Sequence, residues 1–403
     1  MSEFPLQGLR VLDLTRVLAG PFATQMLADL GAEVIKIEKP NEGDETRGWG
    51  PPFAKNGEGS EGDAAYFHAA NRGKKSVCID ISTKKGANLI KALALKSDIL
   101  VENYKVGGLA KYGLDFASLQ KLNPRLIYCS VTGFGQTGPY RNRAGYDFMI
   151  QGMAGVMSIT GEPDGRPIKM GVAFADVFAG LHAVIGIQAA LIARAKSGQG
   201  QHIDISLLDS QVSVLANQAM NYLIGGKVPK RMGNEHPNIV PYQTFETSDG
   251  HIIIAAGNDR QFAALCKVIG AEKIGADKKF ATNRGRVELR GELIPALAPF
   301  FKSCTTVEWT DALEADAVPC GPINSLDQVF AHEQVLARGL VRDVSHTDGT
   351  TVKTVSNPLK FSASQNGAET ASPNLGADTD CVLQDILGLS ASQCAVLKAT
   401  GVV

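Results

Sequence analysis

Three features of the 403-residue sequence predict an α/β protein, with a large lobe around a mainly parallel sheet and a smaller α+β lobe. Short apolar runs suited to strands alternate with helix-period runs through roughly the first half, and repeated βα units give a parallel sheet with helices on both faces. Composition then changes between Gly225 and Pro241, through Gly-Gly-Lys-Val-Pro-Lys-Arg-Met-Gly-Asn-Glu-His-Pro, which reads as a linker. A hairpin turn at Ser248-Asp249-Gly250 opens a different pattern beyond it. At roughly 100–200 residues per domain, the length supports two or three lobes with buried cores.

Leu9–Leu14 is expected as the first strand and Pro21–Leu30 as a helix stopped by Gly31. Glu33–Glu38 alternates charged and apolar residues, the period-two pattern of a strand. Further strands are expected at Ser76–Ile81, Ile99–Glu102 and Leu126–Val131, separated by helices at Lys85–Ser97 and Phe116–Leu122. After a loop rich in Gly, Arg and Pro come a helix at Val177–Lys196, a strand at His202–Ser206 and a helix at Leu207–Ile224. The smaller lobe carries helices at Asp259–Ile269, Arg284–Lys302 and Thr306–Ala315, and Pro319-Cys320-Gly321-Pro322 reads as a second stiff linker. From Leu326 onward the pattern is a helix, a hairpin around His346-Thr347-Asp348-Gly349 and a closing helix.

Forty basic and 41 acidic side chains leave a net charge of −1, which argues against nucleic acid or an anionic membrane surface as partner. The seven cysteines are widely spaced with no Cys-x-x-Cys pair, the usage of reduced thiols, and no metal site is expected. The start Met-Ser-Glu-Phe-Pro lacks the features of a signal or transit peptide, so a cytoplasmic location is expected. Val177–Ala193 is apolar enough to resemble a membrane span, but His182 and Gln188 and its length favour a core helix.

Gly133-Phe134-Gly135-Gln136-Thr137-Gly138 follows a strand and matches the dinucleotide fingerprint, but Pro139 and Tyr140-Arg141-Asn142-Arg143 stand where the phosphate-binding helix should begin. No nucleotide-triphosphate loop, zinc-protease helix or serine-hydrolase elbow is present in the sequence. Asp176 ends Gly171-Val172-Ala173-Phe174-Ala175 and precedes the most apolar helix. It suits a helix N-cap, and it equally suits an ionised nucleophile facing a cleft at the strand ends. Basic residues at loop positions, among them Arg16, Lys39, Arg47, Arg72, Lys111 and Arg143, suit either solvated surface or a shared anionic ligand.

The opening Leu9-Arg10-Val11-Leu12-Asp13-Leu14-Thr15-Arg16-Val17-Leu18-Ala19-Gly20-Pro21, with Asp29-Leu30-Gly31-Ala32-Glu33-Val34-Ile35-Lys36-Ile37-Glu38, resembles that of the class III CoA-transferases, the formyl-CoA and carnitine CoA-transferase family. The likeness continues through Gly43-Asp44-Glu45-Thr46-Arg47, Asn71-Arg72-Gly73-Lys74-Lys75-Ser76, Val101-Glu102-Asn103-Tyr104, Ala144-Gly145-Tyr146-Asp147 and Ser197-Gly198-Gln199-Gly200-Gln201 to Gly401-Val402-Val403. Tyr128-Cys129-Ser130, Asn221-Tyr222-Leu223-Ile224-Gly225 and Ile239-Val240-Pro241-Tyr242-Gln243 carry it toward the succinyl-CoA:glutarate (succinate:hydroxymethylglutarate) branch.

The resemblance implies an interlocked homodimer in which each chain has a Rossmann-like large domain and a small α+β domain. Its divisions would be 1–200 for the CoA-binding domain, 201–240 for a helix and linker, 241–318 for the small domain, and 319–403 for a linker and return to the large domain. Asp176 matches the family's nucleophile, and Arg16, Leu18, Ala19, Lys39, Asn103, Tyr104, Lys111, Tyr146 and Asp147 match its CoA contacts. CoA and acyl-CoA would then be substrates, with no permanently bound cofactor. Leu18 stands where formyl-CoA transferase has a glutamine, and His236-Pro237-Asn238-Ile239-Val240-Pro241 replaces its glycine-rich loop, which argues against oxalate as acceptor. The expected reaction moves CoA from succinyl-CoA to glutarate or another C4–C6 dicarboxylate through an aspartyl-CoA thioester. Arg47, Arg72, Arg143, His236 and Asn238 are the candidates for the acceptor's second carboxylate. Two alternatives share the fold: an α-methylacyl-CoA racemase, which would need a histidine where Tyr146 stands, and a non-catalytic CoA-binding protein.

Overall fold

The computed structural model describes residues 3–55, 59–346 and 349–403, so Met1 and Ser2 of the expected start, and Thr347 and Asp348 of the expected turn, lie outside the described residues. The chain divides into two compact units, one of Met1–Gly155, Met170–Asn217 and Glu333–Val403, the other of Val156–Lys169 and Gln218–His332. Set beside divisions at 200, 240 and 318, residues 201–217 go with the first unit, and 156–169 and 319–332 with the second.

The strands of the first unit begin with β1 (Arg10–Leu14), β2 (Glu33–Glu38), β3 (Phe53–Lys55), β4 (Glu61–Ala64), β5 (Lys74–Cys78), β6 (Ile99–Glu102), β7 (Ile127–Thr132) and β8 (His202–Ser206). The second unit holds β9 (Tyr242–Glu246), β10 (His251–Ala255) and β11 (Cys320–Pro322), and the chain returns to the first with β12 (Val341–Ser345) and β13 (Thr351–Val355). Helices through Gly225 are α1 (Ala19–Asp29), α2 (Ala65–His68), α3 (Lys84–Ala94), α4 (Phe116–Leu122), α5 (Asp147–Met153), α6 (Val156–Ile159), α7 (Phe174–Ser197), α8 (Leu207–Ser213) and α9 (Ala216–Gly225). They continue as α10 (Asp259–Val268), α11 (Glu272–Gly275), α12 (Asn283–Glu288), α13 (Arg290–Phe301), α14 (Thr306–Ala315), α15 (Leu326–Ala331), α16 (Glu333–Ala337), α17 (Thr379–Leu387) and α18 (Ala391–Ala399).

The fold is mixed α/β. Six parallel strands form the central sheet in the order β5-β2-β1-β6-β7-β8, while β11-β10-β9, β12-β13 and β3-β4 form separate antiparallel sheets. Alternation along each central strand feeds two cores. Val11, Val34, Ile99, Val101 and Ile127 pack with Ala23 and Leu27 of α1 and with Ala179, Ala183 and Ile187 of α7. Leu12, Ile35, Ile37, Leu100 and Tyr128 point the other way, onto Ile90 and Leu93 of α3, Leu119 of α4, Val382 and Leu383 of α17 and Cys394 of α18.

α7 is long and apolar enough to cross a membrane by length and composition, yet one side of it is buried in the core. Gly180 lets it lie close to α1, because a Cβ there would fall 2.8 Å from the Ala19 carbonyl oxygen. At its far end, buried Arg194 donates to Asp98 Oδ1 at 3.0 Å and to the Arg125 carbonyl at 3.1 Å. The C-terminal segment closes the β5 edge of the sheet. Ser76 N–H donates to Asp378 Oδ2 (2.9 Å), Cys78 N–H to Thr379 Oγ1 (3.0 Å) and Gly376 N–H to Ser76 Oγ (2.8 Å). In the second unit, Phe245, Ile252, Phe262, Leu293, Phe301 and Trp309 fill the core between the sheet and its helices.

Several elements differ from their sequence expectation. The helix expected over Leu207–Ile224 is two helices, interrupted before Ala216, whose φ is +47°. That over Arg284–Lys302 divides at Leu289, which sits at φ −108°, ψ 24°. Pro319–Pro322 is not only a linker: β11 pairs antiparallel with β10, and as an edge strand it tolerates a terminal proline. β5 starts at Lys74, earlier than expected, because its two lysines meet carboxylates: Lys74 binds Asp13 (3.1 Å) and Lys75 binds Glu33 (2.7 Å). All seven cysteines are free thiols.

Candidate active site

Counted within the central sheet, the strand order is 3-2-1-4-5-6, so the chain reverses between β1 and β6. Ligands of open α/β sheets lie at the carboxyl ends of the strands at such a reversal. A cleft of about 920 Å³ opens there. Eight of the nine positions matched to CoA contacts line it, namely Arg16, Leu18, Ala19, Lys39, Asn103, Tyr104, Lys111 and Tyr146, together with Asp176 and Arg143.

The β1–α1 turn is shaped by strain. Val17 has φ +72°, a left-handed conformation that costs a β-branched residue roughly 1–3 kcal/mol and persists only where neighbours enforce it. Its N–H donates to both oxygens of Asp44 (3.3 and 3.2 Å), and Asp44 is itself fixed by Lys36 Nζ (2.8 Å) and by the Thr46 N–H (3.0 Å). Lys36 is fully buried and also donates to the Thr15 carbonyl at 2.9 Å. Asn103 joins the two strand ends across the reversal, accepting from Arg16 N–H (3.0 Å) and donating to the Arg16 carbonyl (2.7 Å). The next residue, Leu18, is the N-cap of α1 and supplies no side-chain cap, so the electropositive end of that helix opens on the cleft.

Asp176 is the third residue of α7 and not its N-cap, which is Ala173. The capping is done from a distance: Ala175 N–H donates to Asp147 Oδ1 (2.9 Å), and Gln151 Nε2 donates to Asp147 Oδ2 (2.8 Å). Asp147 is therefore engaged at the start of α7 and does not line the cleft. Its segment approaches β7 closely, since a Cβ on Gly133 would lie 2.6 Å from Gly145 Cα. With that duty taken by Asp147, the Asp176 carboxyl accepts no hydrogen bond among the described residues. Burial, and then the Asp147 charge, push it up to about 7.

Tyr66 was not among the residues singled out by the sequence. Its phenol is held in the neutral form by burial and by the charges of Asp176, Asp147 and Asp44, and Trp49 packs edge-on against it at 5.3 Å. It belongs to no short motif, and only the fold brings it near Asp176.

Arg47 and Arg72 do not offer cations to a substrate, contrary to expectation. Arg47 donates to Glu38 (2.8 and 2.6 Å) and Asp63 (2.5 Å) and lies over the Phe67 ring at 3.8 Å. Arg72 grips Asp29 in a bidentate pair, with Nε to Oδ1 at 2.9 Å. Both are buried, and each is occupied by a carboxylate that sequence distance conceals. Arg143 is different. It is exposed, its guanidinium lies 4.5 Å from the Tyr140 ring and 5.5 Å from Phe134, and it pairs with no carboxylate among the described residues. His236 and Asn238 belong to the second unit, where Asn238 N–H donates to His236 Nδ1 (3.1 Å) and its amide pairs with that of Asn221. Among the described residues no group of three His, Cys, Asp or Glu side chains converges as metal ligands would.

Comparison with known proteins gives this geometry a context. The chain is 52% identical over 387 residues to the succinate–glutarate CoA-transferase of Agrobacterium fabrum, covering 95% of this chain and 96% of that one. It is 44% identical over 399 residues to the human succinyl-CoA:glutarate CoA-transferase, covering 99% and 90%. Among solved structures, a CAIB/BAIF family protein from Brucella suis superposes with a TM-score of 0.85 at 51% identity, covering 96% of this chain and 100% of that one. The profile of CoA-transferase family III matches residues 6–379, and with relatives this similar along nearly the whole length, the chain belongs to that family.

Proposed function

We propose that this protein moves CoA reversibly from succinyl-CoA to glutarate, with Asp176 as the nucleophile. The observation that carries the reading is a carboxyl that accepts no hydrogen bond from the described residues, in the lining of a cleft walled by positions matched to CoA contacts. The printed activities of the relatives named above supply donor and acceptor.

In the first step an Asp176 oxygen attacks the thioester carbonyl of succinyl-CoA, the C–S bond breaks, and the electron pair leaves on the CoA thiolate. The thiolate then attacks the Asp176 carbonyl carbon of the mixed anhydride, releasing succinate and leaving an aspartyl-CoA thioester. Glutarate repeats both steps in reverse and regenerates the carboxylate. The thioester's free energy is conserved, so no ATP is consumed. The carboxylate needs no general base, and the chain's task is to hold the reacting carbons in place and keep water from the anhydride. Arg16, Lys39 and Lys111 are exposed cations on the lining and suit the phosphates of CoA. Arg143, on the same lining and paired with no carboxylate among the described residues, suits the distal carboxylate of the acceptor, which would be costly to leave unpaired on losing water. A substrate role for His236 and Asn238 rests on the resemblance alone.

The same reading extends to a Rossmann-like large domain, supported by the strand order, and to an interlocked homodimer, supported by the exposed apolar side of α9, where Leu223 and Ile224 are 70% and 81% exposed. A cytoplasmic enzyme that takes CoA as substrate, with no resident cofactor, belongs to the same reading, and the near-zero net charge supports the absence of a nucleic-acid or anionic-membrane partner. The test is to incubate the protein with succinyl-CoA, trap with hydroxylamine and read the intact mass. Modification confined to Asp176, with glutaryl-CoA formed once glutarate is added, is the expected result; turnover by Asp176→Asn at near-normal rate would overturn the assignment.

A further inference from the structure

Three neighbouring strands bring a second group of titratable side chains together on one face of the central sheet. The register sets Glu102 of β6 opposite Ser130 of β7, and Ser130 opposite Asp204 of β8, with His202 two residues before Asp204 on the same face. Ser130 Oγ lies 2.9 Å from His202 Nε2, and the same hydroxyl stabilises the Glu102 carboxylate. Glu102 and Ser130 are 6% and 2% exposed, whereas His202 reaches solvent. One hydroxyl thus links a buried acid to a surface imidazole.

The acid also supports the cleft. Glu102 Oε2 accepts the Tyr104 N–H at 2.7 Å, and the intervening Asn103 clasps Arg16 by both its N–H and its carbonyl. Arg16, Asn103 and Tyr104 all line the cleft, so the turn leaving β6 is held from behind by a carboxyl that is not itself part of the lining.

We propose that Glu102 is a positioning residue for the CoA cleft, and that its proton exchanges with solvent through Ser130 and His202, tightening the Asn103–Tyr104 turn when Glu102 is ionised. The proposal rests on the reading of the cleft as the CoA site. In the exchange the Glu102 O–H bond breaks toward Ser130 Oγ while the Ser130 proton passes to His202 Nε2. A carboxylate, an intact hydroxyl and an imidazolium result, and the imidazolium gives a proton to water. Burial pushes Glu102 up to about 7, with the charge of Asp204 adding to it and the bonds from Ser130 and Tyr104 opposing it. Burial lowers His202, against the pull of Asp204. The other groups facing Glu102 are Tyr104, Tyr128 and Cys129, all driven toward their neutral forms by burial and by the Glu102 charge. Phe116 stacks on His202 at 5.1 Å and adds no charge.

A charge-assisted acceptor is roughly twice as strong as a neutral one, so CoA binding should tighten about five-fold between about pH 6 and about pH 8. Binding should also expel protons near neutrality. Calorimetric titration with CoA, in buffers of different ionisation enthalpy, reads both quantities for the wild type, Glu102→Gln and Ser130→Ala. The titrations of the CoA phosphate and of Asp176 are common to all three chains. Expected are a weaker affinity that lacks the five-fold rise due to Glu102, and fewer protons released, for Glu102→Gln, and for Ser130→Ala a Glu102-dependent rise displaced to higher pH, since the bond that favours the ionised form is gone. Identical pH dependence and proton release in the wild type and both variants would overturn the proposal and leave the CoA reading intact. A wild type that binds no CoA would overturn both.

Discussion

Burial and the neighbouring Asp147 hold the Asp176 proton up to about pH 7, whereas the unfolded chain gives it up near the ordinary 3.8. In the proposed reaction the nucleophile is the ionised form, so kcat/KM should fall about tenfold for each pH unit below about 7, a slope that stopped-flow assays can measure. Asp176→Asn should lower turnover by about 10³-fold or more. The same shift acts on stability. Between its two titrations Asp176 holds its proton more tightly in the folded state than in the unfolded one, so this group's contribution to stability is greatest at the acid end and declines as pH climbs toward 7. Asp176→Asn removes that decline, and its melting temperature should exceed the wild type's near pH 8 with a narrowing gap toward pH 4; parallel curves would contradict the shift. Sequence alone made Asp176 either a cap or a nucleophile, and it left both roles open because a short-range pattern cannot show that Asp147, 29 positions earlier, already satisfies the helix terminus. Arg47 and Arg72 illustrate the opposite limit. Each looked available because the carboxylates that consume them lie 9 to 43 positions away along the chain.

At the scale of elements, the Arg72–Asp29 pair fastens the end of α1 to the C-terminal segment, because Asp29 also accepts from Asn357 Nδ2 (3.3 Å) and Ala368 N–H (3.1 Å). Arg72→Ala leaves a buried charge and should cost about 3–5 kcal/mol in urea unfolding. Arg72→Lys should recover only part of this, because lysine lacks the planar fork that grips both oxygens. Gly133→Ala should weaken catalysis with a smaller effect on stability, since relief of its contact with Gly145 displaces the Tyr146–Asp147 segment; full activity would show that the crossing is slack. Strands β2, β6 and β8 were legible to the residue, β2 and β8 from mixed apolar and polar positions and β6 from a short apolar run, each with flanking turns that agree. The interruptions at Ala216 and Leu289 were not, since neither carries the glycine or proline that marks a break in sequence. The pairing of β11 with β10 joins residues some 70 positions apart, which local periodicity does not register.

For the whole molecule, the α/β architecture was readable from the alternation of elements, and the reversal between β1 and β6 then explains why residues from positions 16 to 176 converge on one cleft. At this scale the resemblance implied that residues 319–403 return to the large domain, but periodicity left that open, and neither showed that residues 376–399 close the β5 edge and one sheet face. Removing everything after Ala331 should expose the apolar side chains that meet Val382, Leu383 and Cys394, and should yield an aggregating chain; a soluble, cooperatively melting product would contradict this. That late closure also bears on how the protein comes off the ribosome. The strands through β7 are complete by residue 132, yet α17 and α18 are made some 250 residues later, a delay of tens of seconds at roughly 5–20 residues per second. Throughout that interval the nascent sheet presents a greasy, unpaired flank to solvent. The newborn chain should therefore depend on chaperones far more than the finished enzyme does.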